Sequence, residues 1–250
     1  MIYVCMTTHD NSSTVGLVLW KIRQVLEDFR REYHILIVDD ASTDKTAAVL
    51  KPYERALPIT LTRMGQHVGY AASLETLVRE ALGRTDRPRR DCMITLPADF
   101  SVSPAVLPDL IKRMESGADV VVGEVLAEPI SPTLRMVRRL AARLLKPGVQ
   151  LNGLRDVASG VYAFRLITLR GCMKELQGPL LQTQGRCANA ELVARAATVA
   201  RQIAVLSLPA TAPSGAPRPS EKALPLALNL LRAGRHLHIP GPQTPIQRIS

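Results

Sequence analysis

The segment Ile37-Val38-Asp39-Asp40-Ala41-Ser42-Thr43-Asp44-Lys45-Thr46 decides how the rest of the chain is read. With Ile35 and Leu36 ahead of it, it opens as an aliphatic run and closes in carboxylates and hydroxyls. A short apolar run bounded by turn-forming residues reads as a buried strand. Ser42 or Asp44 supplies an oxygen for the free N–H groups of a helix starting near Thr46. Asp39 and Asp40 then stand at the carboxyl end of a strand, where open α/β sheets bind their ligands.

The flanks extend the pattern. Ile2 to Met6 reads as a strand, followed by the polar loop Thr7-Thr8-His9-Asp10-Asn11-Ser12-Ser13. From Val15 to Phe29 the apolar residues recur at helical spacing. Thr46 to Tyr53 continues as a helix, and Ile59 to Leu61 forms a third strand. Alternating strands and helices argue for right-handed βαβ units and a mostly parallel sheet. Gly65 to Ser73 is a glycine-containing turn entering a helix, able to bring backbone N–H groups near a phosphate. Cys92 to Leu96 and Asp119 to Val122 are further strands, the latter ending in a loop at Gly123-Glu124. Val161 to Arg165 and Ile203 to Leu208 follow, with a helix over Ala188–Ala200 and another over Leu224–Ala233. One domain is expected over residues 1–235, with a Pro/Gly-rich, poorly ordered tail over 236–250.

Composition narrows the classes. The 250 residues are 46% hydrophobic but only 4% aromatic, so the core is aliphatic. A net charge of +10 points to an anionic partner. Nucleic acid is set aside, because there is little aromatic stacking surface and no recognition motif. Cys5, Cys92, Cys172 and Cys187 form no CxxC pair and read as free thiols in a reducing compartment. No apolar run approaches the ~20 residues of a membrane-spanning helix, and the start reads as a strand rather than a leader. Thr133 to Lys146 carries an apolar stripe (Leu134, Val137, Leu140, Ala141, Leu144, Leu145) beside Arg135, Arg138, Arg139, Arg143 and Lys146. Such a helix either lies on an anionic membrane surface or packs its stripe on the core.

Several segments in order carry a resemblance. They are Thr8-His9-Asp10-Asn11, Val38-Asp39-Asp40-Ala41-Ser42-Thr43-Asp44, His67-Val68-Gly69-Tyr70-Ala71, Pro97-Ala98-Asp99, Gly117 to Gly123, and Asp156-Val157-Ala158-Ser159-Gly160-Val161. Over roughly residues 1–225 the chain resembles the family 2 glycosyltransferases of GT-A fold, on the branch of dolichyl-phosphate mannose synthase and polyprenyl-phosphate glycosyltransferases. The resemblance implies a nucleotide-sugar donor, UDP- or GDP-linked, and inverting transfer to a polyprenyl phosphate. It implies that Thr7, His9, Asn11, Val38, Asp40 and Ala98 surround the nucleotide, and it makes Asp39 structural. It implies Mg²⁺ or Mn²⁺ held by Asp99 and Ser101, although Pro97 stands where the family has its first carboxylate. Asp99 and Lys222 become the candidate catalytic residues, the latter in Ser220-Glu221-Lys222 with Arg218 nearby. Glu191 is read either as a base for a hydroxyl acceptor or, preferably, as a solvated helix residue. The expected location is cytoplasmic, with peripheral attachment to the membrane face through 133–146. A second reading is a GT-A domain that binds nucleotide or a membrane surface without transfer, in keeping with Pro97.

Overall fold

A computed structural model of the chain describes all residues except 28, 30, 126–130, 147, 152, 175, 177, 210–222, 243 and 250. The strands are β1 (Ile2–Thr8), β2 (Tyr33–Asp39), β3 (Ile59–Arg63), β4 (Cys92–Thr95), β5 (Val120–Val125), β6 (Tyr162–Arg165), β7 (Ile203–Leu208) and β8 (Ile246–Ile249). The helices are α1 (Val15–Glu27), α2 (Thr46–Leu50), α3 (Tyr53–Ala56), α4 (Tyr70–Arg84), α5 (Leu107–Glu115), α6 (Pro132–Leu144), α7 (Leu166–Lys174), α8 (Cys187–Val199) and α9 (Ala223–His236). They surround one eight-stranded sheet of order β3-β2-β1-β4-β6-β5-β7-β8. β6 runs against both of its neighbours, and the remaining pairs are parallel.

Alternation along the strands builds a core on each face of the sheet, because successive side chains point to opposite sides. Tyr3 and Cys5 of β1, with Leu36 and Val38 of β2, face the layer holding α4, α6, α7, α8 and α9. Ile2, Val4 and Met6, with Ile35 and Ile37, face α1 and α5. Both faces of these strands are covered, which explains their unbroken apolar runs. All four cysteines are buried thiols outside any disulfide, and burial pushes the Cys92 thiol up to about 12.

Two expectations need correction, and one left open is decided in favour of packing on the core. Gly123-Glu124 is not a loop: β5 runs through to Val125, and Glu124 is fully buried within it. Its charge is met by Arg248 of β8 at 3.1 Å and by the backbone N–H of Arg155. The tail is not loose, because β8 pairs in parallel with β7. The stripe on α6 faces inward: Leu134, Val137, Ala141 and Leu145 are buried, and so is Arg138. α9 packs across α6, and Gly234 makes that possible. A Cβ there would stand 2.5 Å from the carbonyl oxygen of Leu145.

Candidate functional site

β1, β2 and β4 end together, and a cavity of about 220 Å³ opens there. The backbone is contorted at all three ends. Asp10 after β1, Ala41 after β2 and Phe100 after β4 have φ of 52°, 53° and 57°. This left-handed region is costly for residues with a Cβ and clusters at functional sites.

The first two ends are clasped by side chains receiving backbone N–H groups. Asp10 Oδ1 accepts from the N–H groups of Thr43 (2.8 Å) and Asp44 (3.1 Å). In return Ser42 Oγ accepts from Asp10 N–H, Thr46 Oγ1 from Asn11 N–H and Asp44 Oδ2 from Ser12 N–H. The N–H groups of Thr43 and then Asp44 hold the Asp10 carboxyl below the usual carboxylate range. For Asp44, desolvation pushes upward, but hydrogen bonds from Thr46 and Ser12 outweigh it and set the carboxyl well below that range. Asp39 is fully buried, accepts from the Ser42 N–H and hydroxyl, and has Arg63 Nε 3.5 Å away. It is structural, as expected.

Asp40 sits at the cavity wall and is almost fully buried. Its two oxygens accept from the N–H groups of Val68 (2.7 Å) and Gly69 (2.9 Å). The Gly65–Ser73 turn therefore closes on Asp40 with these two amides rather than presenting them to a phosphate. His67 Nδ1 lies 3.0 Å from Asp40 Oδ2, and His9 Nδ1–H donates to the Asp40 carbonyl at 2.7 Å. The two imidazoles lie with centroids 4.4 Å apart and planes tilted by 41°, forming a partly exposed aromatic surface beside the cavity.

Thr7, His9, Asn11, Asp40, Ala98 and Asp99 all line this cavity. Asn11 Oδ1 accepts from Thr8 Oγ1 and His9 N–H, so this amide also shapes the loop. The Ala98 carbonyl is taken by the Thr14 hydroxyl at 2.8 Å. Val38 is not among the lining residues; it is fully buried in the core cluster that also holds the lining residues Cys5, Leu74 and Leu77. Lys222, Ser220 and Arg218 lie outside the described residues.

The expected metal donors do not fit a divalent ion. Pro97 offers no side-chain ligand. Asp99 Oδ1 accepts from Ser101 N–H, and Asp99 Oδ2 is paired with Arg186 Nη2 at 3.1 Å. Ser101 Oγ is buried and is not part of the cavity wall. A hard cation prefers several oxygen ligands, and among the described residues no group of three or more His, Cys, Asp or Glu could hold one.

Sequence reading missed Arg186 and His67, both of which line the cavity. The only local sign of Arg186 is a cation after Gly185 at a helix start. Glu191 is also misread as solvated. It is buried, 2.6 Å from Arg195 Nη2, and accepts from Gln182 N–H, Thr183 N–H and the Thr183 hydroxyl, each at 2.9 Å. It organises the loop that leads into Arg186.

The sequence model of glycosyl transferase family 2 matches residues 3–170. The chain belongs to that family. Undecaprenyl-phosphate 4-deoxy-4-formamido-L-arabinose transferase of Photorhabdus laumondii subsp. laumondii is 29% identical over 124 residues, or 47% of this chain and 35% of the relative. Dolichol-phosphate mannosyltransferase of Pyrococcus furiosus is 23% identical over 180 residues, 67% of this chain and 47% of the relative. This family 2 chain thus spans between a third and a half of the length of these curated relatives. Glucosyl-3-phosphoglycerate synthase from Mycobacterium tuberculosis, solved with Mn²⁺, UDP and glucosyl-3-phosphoglycerate, matches with a TM-score of 0.65 at 16% identity. The match covers 93% of this chain and 78% of the synthase. At that identity the likeness shows the fold alone, the GT-A fold expected from the sequence. Among the described residues no helix of the chain is long and apolar enough to cross a membrane.

Proposed function

We propose that this family 2 glycosyltransferase moves a sugar from a UDP- or GDP-linked donor to a polyprenyl phosphate. The observation that carries the reading is the cavity at the ends of β1, β2 and β4, walled by Asp40, His9, Thr7 and Asp99 in a chain of this family. Lipid-phosphate sugar transferases among its relatives support the acceptor class. A rigid carboxylate such as Asp40 retains lone pairs for a base or ribose donor, and the paired imidazoles offer a ring face for stacking.

The reaction is inverting transfer. An anionic phosphate oxygen of the acceptor attacks the anomeric carbon from the face opposite the nucleotide. The bond to the β-phosphate oxygen breaks, and its electron pair leaves with the diphosphate. No proton has to move, because the nucleophile is already ionised, so no general base is required of Glu191. No step is assigned to a divalent ion, since the donor set does not fit one. The reading of a domain that binds without transfer draws no support from the relatives, which are named as transferases.

The outer surfaces of α6 and α9 support a membrane-surface acceptor. Met136, Arg139, Arg143 and Lys146 are exposed on and just beyond α6. Leu224, Leu228 and Leu231 are exposed at helical spacing on α9, beside Arg232 and Arg235. Apolar residues flanked by cations suit an anionic lipid interface. This surface, rather than the inward-facing stripe on α6, carries the proposal of peripheral attachment to the cytoplasmic membrane face.

A thermal-shift screen of UDP- and GDP-sugars tests the donor class. Ligand at 100 times its Kd stabilises the native state by about 2.7 kcal/mol, so a hit raises the unfolding midpoint clearly. Failure of both nucleotide series to move the midpoint contradicts the reading.

A further inference from the structure

Resting on the nucleotide-sugar reading, we propose that Arg186 and Asn189 take the place of a divalent ion as the fixed positive partner of the donor diphosphate. Three features of the α8 entrance converge on this. Arg186, the residue immediately before α8, lines the cavity, and its guanidinium meets Asp99 at 3.1 Å. A guanidinium carries five N–H donors in a plane and matches phosphate oxygens two at a time. Asp99 therefore acts as an orienting anchor for the cation, the opposite of a metal ligand.

Asn189 is the second feature. It lies three residues on, hence on the same side of α8, and is 1% exposed. Tyr70 donates its hydroxyl hydrogen to Asn189 Oδ1 at 2.8 Å, which turns the amide nitrogen the other way. Among the described residues that nitrogen has no hydrogen-bond partner. It lies 3.7 Å from where a Cβ on Gly160 would stand, and Pro97 Cγ lies 3.6 Å from the same point. Gly160 and Pro97 are cavity walls. A buried donor without an acceptor carries a free-energy cost unless something fills the role. Asn189 stands behind the walls rather than among them, so the acceptor would be a phosphate oxygen that enters between Gly160 and Pro97.

The third feature is α8 itself. At 13 residues it is long enough to carry a positive N-terminal end, and that end is where Arg186 stands. When the bond to the β-phosphate breaks, the charge left on its oxygen meets a guanidinium and a helix terminus that are already in place. Preorganised donors of this kind stabilise a leaving anion without reorganising. Proline at position 97 is then consistent with the rest of the site, because no second carboxylate is wanted beside a guanidinium that already has one.

Isothermal titration of the full chain with UDP and GDP, against uridine and guanosine, in EDTA and then in Mn²⁺, tests this. The proposal expects nucleoside diphosphate to bind in EDTA with an affinity that Mn²⁺ changes by less than threefold. Arg186→Gln should weaken diphosphate binding tenfold or more while changing nucleoside binding less than twofold, and Arg186→Lys should recover part of the loss. Asn189→Asp should weaken the diphosphate in the same selective way. Binding that vanishes in EDTA and returns with Mn²⁺ overturns the inference but leaves the nucleotide-sugar reading standing. Equal losses for nucleoside and diphosphate in Arg186→Gln also overturn it. Absence of all nucleotide binding to the unaltered chain instead removes the reading on which the inference rests.

Discussion

Two buried carboxylates gather loops around the cavity, and they do so on different terms. Asp40 takes two backbone N–H groups from the loop before α4, and its remaining neighbours are two partly exposed imidazoles and the cavity. Glu191 takes two backbone N–H groups and a hydroxyl from the loop before α8, but its other oxygen is closed off by Arg195. The same device yields a cavity wall in one case and a scaffold in the other. What separates them is the identity of the last partner: a titratable ring beside open space, or a mostly buried guanidinium. Glu191 serves the site at one remove, by fixing the approach to Arg186.

The comparison breaks most visibly at Glu191. Glu191→Ala leaves Arg195 without its buried partner and strips three hydrogen bonds, and should lower unfolding free energy by about 3–5 kcal/mol in urea titration. A loss below about 1 kcal/mol would mean that Glu191 is solvated after all. Next is Asp40→Asn, which keeps the shape but removes the charge and one acceptor. It should lower stability by about 1–3 kcal/mol and weaken UDP or GDP binding by roughly tenfold, the factor worth 1.4 kcal/mol. Lost stability with unchanged nucleotide affinity would make Asp40 a second Glu191.

The smallest effect is a pH dependence in the clasp between the β1 and β2 ends. Asp10 and Asp44 both sit below the ordinary aspartate range in the folded chain. Groups depressed in this way contribute stability that is fully present above the unfolded value near 3.9 and is lost as pH falls through the folded values. An NMR titration of the Thr43 and Asp44 amides should therefore show hydrogen-bonded shifts down to about pH 4, changing only below it. A transition at or above that value would show that the clasp adds nothing to the carboxylates.

The two regions were unequally legible in the sequence. The strand ending in Asp39 and Asp40 was plain because its pattern is local: an aliphatic run, then turn residues, then a helix. Most clasp partners lie on two short loops whose composition announces them. The Asp99–Arg186 contact joins residues 87 apart, and nothing around Arg186 marks it as different from a surface cation. Glu191 looked solvated because Glu and Arg four residues apart in an alanine-rich helix resemble an exposed pair. The small side chains instead let α8 pack closely on nearly every side, taking both charges inward. β8 was hidden by its Pro/Gly-rich approach, and Glu124 read as a loop residue because its partner Arg248 lies on that strand.

The central claim, transfer of a sugar from nucleotide to lipid phosphate across this cavity, is tested most directly by product analysis. The chain is incubated with each UDP- or GDP-sugar that binds and with a short-chain polyprenyl phosphate. The account predicts that sugar passes into the organic phase as a polyprenyl-phosphate sugar with equimolar release of UDP or GDP. Nucleotide binding without any lipid-linked product, under conditions where the acceptor is demonstrably bound, would contradict it.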